Sequence, residues 1–277
     1  MSESNEEREI RTVVSDGLEL VVESVGSGPT ILFCHGLSGN RSSVFEQFEP
    51  LSSNHRIVAF DQRGHGESAR VSDPALFEPR RMSGDIGVVL DAIGVSRAVV
   101  GGESMGAALA MLFASESPDR VDRLLLTAPA FGDQPNPERA RLHGMAEIIR
   151  AKGIDAFLKG AAIRQREDWG APESVIEKLA VMQRSHDPAS LALACQTVID
   201  WLITPKLDDF ASFDRPVCIV GWPGDGLHPE ALARRYAEVL PEAKLSWLSS
   251  MFEVFERPES VGEIYEVFLT EAAVRGE

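Results

Sequence analysis

Residues 102–106, which read Gly-Glu-Ser-Met-Gly, have the spacing of a nucleophile held on a sharp turn. An apolar run precedes them, and the small residues that follow are typical of a helix start. Glycines on both flanks relieve crowding where a strand turns abruptly into a helix, and the serine then projects above the sheet edge at the positive end of that helix. A serine hydroxyl becomes a good nucleophile when it is exposed, oriented and served by a base. The pattern therefore predicts Ser104 as a nucleophile in acyl transfer.

A second apolar run ends at His35, Gly36 and Leu37. The backbone N–H groups of Leu37 and Met105 are candidates for an oxyanion hole, which receives the negative charge that develops on a carbonyl oxygen. The place of His35 beside a glycine at a strand end favours a structural histidine at the border of the substrate site, together with Gly36. His65 is likewise interpreted as a loop histidine with satisfied hydrogen bonds rather than as a proton carrier.

Short apolar strands that alternate with amphipathic helices position these residues and predict an α/β fold with a mostly parallel sheet. Residues 10–15 and 18–24 read as a hairpin turned at Asp16-Gly17. Residues 30–34, a continuous apolar run, indicate a strand covered on both faces. Further strand candidates are 56–60, 98–101, 123–127, 217–220 and 243–248, and the clearest helical patterns are 83–93 and 229–240.

One segment, residues 133–205, breaks the alternation because it carries four helix-like stretches and no clear strand. We interpret it as an inserted helical lid on a core formed by residues 1–132 and 206–277. A chain of 277 residues is long enough for one such core with an insertion. Met145, Trp169 and Trp201 are our candidates from the lid for the lining of a largely apolar substrate pocket.

The charge, the cysteines and the apolar runs of the sequence disfavour several partners and locations for the protein. A formal charge of −16 disfavours nucleic acid and anionic membrane surfaces as partners. The three cysteines lie far apart in apolar stretches, which indicates buried thiols in a reducing compartment. Residues 1–9 lack the pattern of a secretory signal, and no apolar run reaches the roughly 18 residues of a membrane span. We expect a cytoplasmic protein that binds a small molecule and needs no metal and no cofactor. The oligomeric state does not follow from the sequence.

The order of three motifs resembles the α/β-hydrolase superfamily: His35-Gly36, Asp61-x-Arg63-Gly64-x-Gly66-x-Ser68 and Gly102-x-Ser104-Met105-Gly106. Within it, the chain is similar to 3-oxoadipate enol-lactonases and small carboxylesterases. The resemblance covers the chain outside the lid. It implies an eight-stranded, mostly parallel sheet with helices on both faces and a lid after the sixth strand. A serine at the elbow speaks against epoxide hydrolase and dehalogenase chemistry, which this fold performs with an aspartate there.

The resemblance also implies an acid and a base for Ser104. Asp225, in the loop after the strand 217–220, takes the position of the acid that orients the histidine. The family's histidine belongs five residues ahead of a Glu-Arg-Pro-like helix start, but Met251 occupies that position and Ser250 precedes it. A thioether cannot accept and return a proton near neutral pH.

Several substitutes for the missing base remain open. His228 follows Asp225 by three residues and could face the site, and His143 in the lid could reach over Ser104. Glu103 is expected to point towards the core edge or solvent. The leading hypothesis is a serine hydrolase of a small carboxylic ester or lactone that is impaired or uses an unconventional base. The alternative is a non-hydrolytic homologue, either a ligand-binding protein or a catalyst of a step such as cyclisation or decarboxylation.

Overall fold

The structure is a computed structural model that describes residues 8–275, so the predicted absence of a signal in residues 1–9 falls mostly outside the described part. Its centre is an eight-stranded sheet with the strand order β1-β2-β4-β3-β5-β6-β7-β8. β1 and β2 run antiparallel to each other, β2 runs antiparallel to β4, and the other neighbours are parallel. The predicted mostly parallel sheet is confirmed. Its strands are β1 (Glu9–Ser15), β2 (Leu18–Val25), β3 (Thr30–Cys34), β4 (Arg56–Phe60), β5 (Ala98–Glu103), β6 (Val121–Thr127), β7 (Val217–Gly221) and β8 (Ala243–Trp247).

Helices cover both faces of the sheet. They are α1 (Arg41–Phe48), α2 (Pro79–Ala92), α3 (Met105–Glu116), α4 (Arg139–Lys152), α5 (Ile154–Glu167), α6 (Glu173–Arg184), α7 (Pro188–Val198), α8 (Glu230–Val239), α9 (Glu253–Glu256) and α10 (Glu259–Arg275). Alternation along β3 shows why its run is apolar throughout. Leu32 and Cys34 join a core with α2, α3 and α8, whereas Ile31 and Phe33 join a second core with α1 and α10, because successive strand residues point to opposite faces.

The segment between β6 and β7 contains α4, α5, α6 and α7 and no strand. α4 packs against both α5 and α7, and α6 reaches α9 of the remaining chain. Near its end, the buried indole of Trp201 donates to the carbonyl oxygen of Phe77 at 3.0 Å, which ties this segment to the turn before α2. Whether these helices behave as a lid that is separate from the core stays a prediction.

A buried ion pair lies under the loop that follows β4. Arg63 is fully buried and donates from Nε to Asp85 Oδ2 at 2.8 Å and from Nη2 to Asp85 Oδ1 at 2.5 Å. Ser15 donates to the same carboxylate at 2.5 Å. Burial raises the pKa of Asp85, although Arg63 opposes that shift. The pair links β1, α2 and the loop after β4. Arg63, the arginine of the motif that follows β4, therefore holds these elements together.

Within residues 8–275, no helix combines the length and the apolar character needed to cross a membrane.

Candidate active site

The turn at Ser104 joins β5 to α3 in a strained backbone conformation. Ser104 has φ of 55° and ψ of −107°, outside the regions that side-chain-bearing residues favour. Neighbouring backbone makes both flanking glycines necessary. A Cβ at Gly102 would lie 2.2 Å from the carbonyl carbon of Gly106, and a Cβ at Gly106 would lie 2.1 Å from the carbonyl oxygen of Cys34. The predicted strand-turn-helix geometry is confirmed.

The strain at Ser104 predicts a difference between two variants that both lack the hydroxyl. We expect Ser104→Gly to be about 1 kcal/mol more stable than Ser104→Ala. The backbone at position 104 is the mirror image of an allowed conformation, which glycine adopts freely because it has no Cβ, whereas alanine is strained there. Thermal or urea unfolding of the two purified variants measures the difference. Equal stability, or a more stable alanine variant, would show that the bend stores no strain.

His228 connects Ser104 to Asp225. Its Nε2 lies 2.9 Å from Ser104 Oγ, and its Nδ1 lies 2.6 Å from Asp225 Oδ2. An ionised carboxylate only accepts hydrogen bonds, so Nδ1 carries the proton and Nε2 is left to accept the hydroxyl proton of Ser104. Of the substitutes that the sequence leaves open, His228 is the one whose imidazole lies at hydrogen-bond distance from Ser104, and it comes from the loop after β7 instead of the loop after β8.

Asp225 is held by three donors. Trp222 Nε1 donates to Oδ2 at 2.9 Å, the amide of Leu227 donates to Oδ1 at 2.9 Å, and His228 supplies the third bond. Burial acts to raise the pKa of Asp225, but the hydrogen bonds and the charge of His228 outweigh it and leave the pKa well below its usual range. Asp225 therefore stays ionised at neutral pH and accepts the hydrogen bond from the imidazole beside it.

The peptide between Gly36 and Leu37 is fixed by His35. The amide of Gln62 donates to His35 Nε2 at 3.0 Å, so Nδ1 carries the proton and donates to the Gly36 carbonyl oxygen at 2.8 Å. Gly39 donates to the same oxygen at 2.9 Å. In a trans peptide the N–H points away from the C=O, which turns the Leu37 amide to the opposite side. Burial lowers the pKa of His35 to about 3, so the ring stays neutral.

Two backbone amides near Ser104 remain available for an oxyanion. Met105 is the first residue of α3, where backbone N–H groups have no acceptor inside the helix. Across residues 8–275, no hydrogen bond uses the amide of Leu37 or of Met105. Gly36 lies beside Ser104, since a Cβ there would be 3.5 Å from Ser104 Cβ. Both predicted oxyanion donors therefore keep unpaired amides.

A cavity of about 1040 Å³ opens above Ser104. Met145, Trp169, Met251 and Gly36 line it together with Asp225 and His228. The prediction that Trp201 lines the pocket is wrong. Its ring is buried against Phe131, and its N–H donates to the carbonyl oxygen of Phe77. The imidazole of His35 lies behind the site rather than in it, because burial and its two backbone partners hold it there.

The other histidines have partners away from Ser104. His65 lies against the backbone, with Nε2 2.5 Å from the Leu37 carbonyl oxygen, and burial lowers its pKa to about 3. His143 pairs with Asp200 at 3.1 Å and is not part of the cavity wall. Among the described residues, no cluster of three or more His, Cys, Asp or Glu side chains is arranged to hold a metal ion.

Some residues that shape the site carried no signal in the sequence. Asn136, in the loop after β6, is buried and donates to the carbonyl oxygens of Leu227 at 2.9 Å and Ala130 at 2.8 Å. It thereby anchors the loop that carries Asp225 and His228. His186 accepts from the amide of Gly66 at 3.0 Å, across 120 residues of sequence. Such contacts depend on the tertiary fold and leave no local pattern.

Comparison with known proteins agrees with this architecture. Residues 29–172 match the family model described as the alpha/beta hydrolase fold. A putative carbamate hydrolase RutD of Caulobacter sp. (strain K31) is 30% identical over 78% of this chain and 80% of its own length. An epoxide hydrolase of Caballeronia sordidicola is 36% identical over 39% of this chain, but the match spans only 33% of that protein. The solved enol-lactonase of Burkholderia xenovorans LB400 superposes with a TM-score of 0.78 at 22% identity, covering 94% of this chain and all of the other.

The chain belongs to the α/β-hydrolase family. The two curated relatives described above carry the names of hydrolases.

Proposed function

We propose that the protein is a serine hydrolase of small carboxylic esters or lactones, with Ser104 as nucleophile, His228 as general base and Asp225 as the acid that orients the imidazole. The observation that carries the proposal is the continuous chain from Ser104 Oγ to His228 Nε2 at 2.9 Å and from His228 Nδ1 to Asp225 Oδ2 at 2.6 Å. It has the geometry of an activated serine, in which nucleophile, base and orienting carboxylate lie within hydrogen-bond reach.

The mechanism follows from the direction of these hydrogen bonds. As Ser104 Oγ attacks the carbonyl carbon, its proton moves to His228 Nε2, and Asp225 stabilises the imidazolium. The carbonyl oxygen becomes an oxyanion that the amides of Leu37 and Met105 receive. When the tetrahedral intermediate collapses, the bond to the alcohol oxygen breaks, and His228 returns its proton to that oxygen. A water molecule then attacks the acyl-enzyme by the same sequence and releases the acid and the free serine.

Met251 at the usual histidine position does not by itself imply loss of activity, because the base has moved rather than vanished. His228 lies in the same loop as Asp225, so one segment supplies both partners of Ser104. We therefore favour an unconventional base over an impaired enzyme.

The substrate class follows from the nucleophile and the cavity. A serine nucleophile requires an electrophilic carbonyl, which esters, lactones and carbamates share; the carbamate name of the RutD relative fits this chemistry. Epoxide opening fits less well, since Ser104 stands where that chemistry needs an aspartate. The lid side of the cavity is largely apolar, with Met145, Ile148 and Phe157 among its lining residues, and it suits an uncharged organic group.

The direct test compares wild type with Ser104→Ala on a short-chain nitrophenyl ester, a simple lactone and a carbamate ester. We expect wild-type hydrolysis of at least one of them and a loss of about 10⁶-fold in kcat in the alanine variant. Retained turnover in Ser104→Ala would contradict the assignment. A folded wild-type protein that hydrolyses none of the three would favour the alternative of a non-hydrolytic homologue.

The loop anchor Asn136 provides a prediction that depends on the role of His228. Asn136→Ala removes the two bonds that hold the Ala130 and Leu227 carbonyls, so His228 should lose its alignment. We expect kcat to fall about 10- to 100-fold with little change in KM, since small misplacements of catalytic groups cost rates of this order.

A double-mutant cycle separates positioning from general destabilisation. If Asn136 acts through His228, adding Asn136→Ala to a His228→Ala protein should leave its residual kcat unchanged, because the two effects are coupled. An Asn136→Ala effect of equal size in both backgrounds would show that the anchor does not work through the imidazole. Unfolding temperatures of all four proteins establish that the comparison is made on folded enzyme.

A further inference from the structure

One part of the cavity wall comes from α1, the end of β5, the loop after β8 and α9. We call this part the α1/α9 arm, and define it by Gln47, Glu103, Met251, Val254 and Phe255, all of which line the cavity. Val254 belongs to the apolar cluster that includes the buried face of α1, and Met251 and Phe255 pack against that cluster. At the rim, Lys178 of α6 donates to the carbonyl oxygen of Phe255 at 2.9 Å and lies 3.7 Å from Glu46 of α1.

The position of the base explains why the arm is available. Met251 occupies the position where the family resemblance places the catalytic histidine, and here the imidazole approaches Ser104 from the loop after β7. The loop after β8 is therefore released from carrying a catalytic ring, and its flexible thioether forms part of the cavity wall instead. A substrate group can occupy the arm without displacing a member of the Ser104–His228–Asp225 chain.

Glu103 places a carboxylate on the wall of this arm, next to the nucleophile in sequence. This differs from the expectation that it points to the core edge or solvent. Its Oε2 accepts a hydrogen bond from Gln47 Nε2 at 2.9 Å. Its Oε1 faces the Gly36 side, 3.7 Å from where a Cβ at Gly36 would lie. Within the described chain, Glu103 forms no ion pair with any lysine, arginine or histidine.

Gln47 cannot neutralise this carboxylate. Its side chain is only 4% exposed and carries no charge, and its own Oε1 has no hydrogen-bond partner. Glu46 of α1, which also lines the cavity, is paired with Lys178 at 3.7 Å. A partly buried carboxylate without a counter-ion is costly unless a cation or several donors reach it. A cationic group on the substrate would supply the counter-charge that Glu103 lacks among the described residues.

We propose that the α1/α9 arm is a subsite for a positively charged nitrogen on the substrate, with Glu103 as the residue that recognises it. The substrate class is then an ester or lactone that carries an ammonium group on one side of the scissile carbonyl and an apolar group on the other. This inference rests on the proposed serine hydrolase function, because the arm is defined relative to the reacting carbonyl at Ser104.

The test uses two pairs of esters that differ only in charge. In the first pair, the acyl group of a nitrophenyl butyrate ends in a trimethylammonium group or in the isosteric tert-butyl group. In the second pair, a thioester carries the trimethylammonium or the tert-butyl group on its thiol side, which is the leaving group. Assays at about 1 M salt, where the Debye length is about 3 Å, suppress the general attraction of cations to a chain with a net charge of −16.

The measured quantity is the ratio of kcat/KM for the charged ester to that for its neutral twin. We expect wild type to favour the charged member of at least one pair by about tenfold, as a single charge-assisted contact provides. Glu103→Gln should bring the ratio close to one, whereas Glu103→Asp should retain a preference. Glu147→Gln, which removes the same charge from an exposed side chain of α4 outside the cavity wall, should keep the wild-type ratio.

Failure of the subsite and failure of the proposed function have different signatures. Wild-type enzyme that hydrolyses the neutral esters as fast as or faster than the charged ones in both pairs overturns the subsite alone. A tenfold preference that survives in Glu103→Gln also overturns it. The wild-type ratio needs no variant, so the subsite stays testable if Glu103→Gln does not fold. Hydrolysis that continues in Ser104→Ala, or no hydrolysis of any ester by wild type, removes both proposals.

Discussion

Replacing His228 by alanine is expected to lower kcat for ester hydrolysis about 10⁴- to 10⁶-fold, with a much smaller change in KM. The variant removes the only imidazole that the described structure places at hydrogen-bond distance from Ser104 Oγ, so the hydroxyl would keep its proton during attack. The loss of the base in serine hydrolases has effects of this size, while an intact oxyanion hole still leaves about 10³-fold over water. Steady-state kinetics of wild type and His228→Ala, on the ester that wild type hydrolyses fastest, measure this fall in kcat.

A matched control uses the other histidine that the sequence offers as a base. His143→Ala removes an imidazole that is paired with Asp200 away from the cavity wall, and we expect kcat within about twofold of wild type, as for a surface substitution. The opposite pattern, with His143→Ala inactive and His228→Ala active, would show that the helices between β6 and β7 rearrange and that the base comes from α4.

Replacing Asp85 by alanine is expected to cost about 3–5 kcal/mol of unfolding free energy, because it strands the guanidinium of Arg63 without its main partner. Arg63 is 0% exposed, and Asp16, its remaining carboxylate, lies at 3.1 Å on the protein surface. A loss of this size is a large part of the 5–15 kcal/mol that stabilises a typical domain. Urea denaturation of wild type and variant measures the difference.

The comparison variant for Asp85 breaks an ion pair of similar length at the surface. Asp122→Ala removes the partner of Arg97, and both side chains of that pair are about 40% exposed. Exposed pairs contribute about 0–1 kcal/mol, so the two variants should differ by several kcal/mol. If Asp85→Ala were as stable as Asp122→Ala, water or a shifted partner would have to satisfy Arg63.

The elements that the sequence predicts best are those whose signals are local. Each predicted strand is present, and the bounds of β3 and β4 agree at both ends, because a buried parallel strand is encoded in its own apolar run. The elbow at Ser104 is likewise encoded locally, since Gly102 and Gly106 are each required by backbone atoms at about 2 Å from a hypothetical Cβ. β5 extends two residues beyond its prediction, to Glu103, because Gly102 and Glu103 still pair with β6.

The proposed base, His228, was harder to predict, because its approach to Ser104 depends on tertiary placement. The family pattern directs attention to Met251, after β8, whereas His228 lies 124 residues from Ser104 in sequence and reaches it through the turn that follows Asp225. The short spacing of Asp225 and His228 was the one available signal. Trp201, between β6 and β7, shows the same limit. Its apolar character is compatible with a pocket wall and with core packing, and its burial against Phe131 and its bond to Phe77 distinguish the two.

The most direct test of the account is the rate at which a fluorophosphonate probe labels Ser104 in wild type and in His228→Ala. The probe reports the nucleophilicity of the hydroxyl without requiring the natural substrate, and a Ser104→Ala control shows that the labelled residue is the intended one. If His228 activates Ser104, labelling of wild type is fast and falls by several orders of magnitude in His228→Ala, while both proteins unfold at similar temperatures. Equal labelling rates in the two folded proteins would contradict the assignment of His228 as the base.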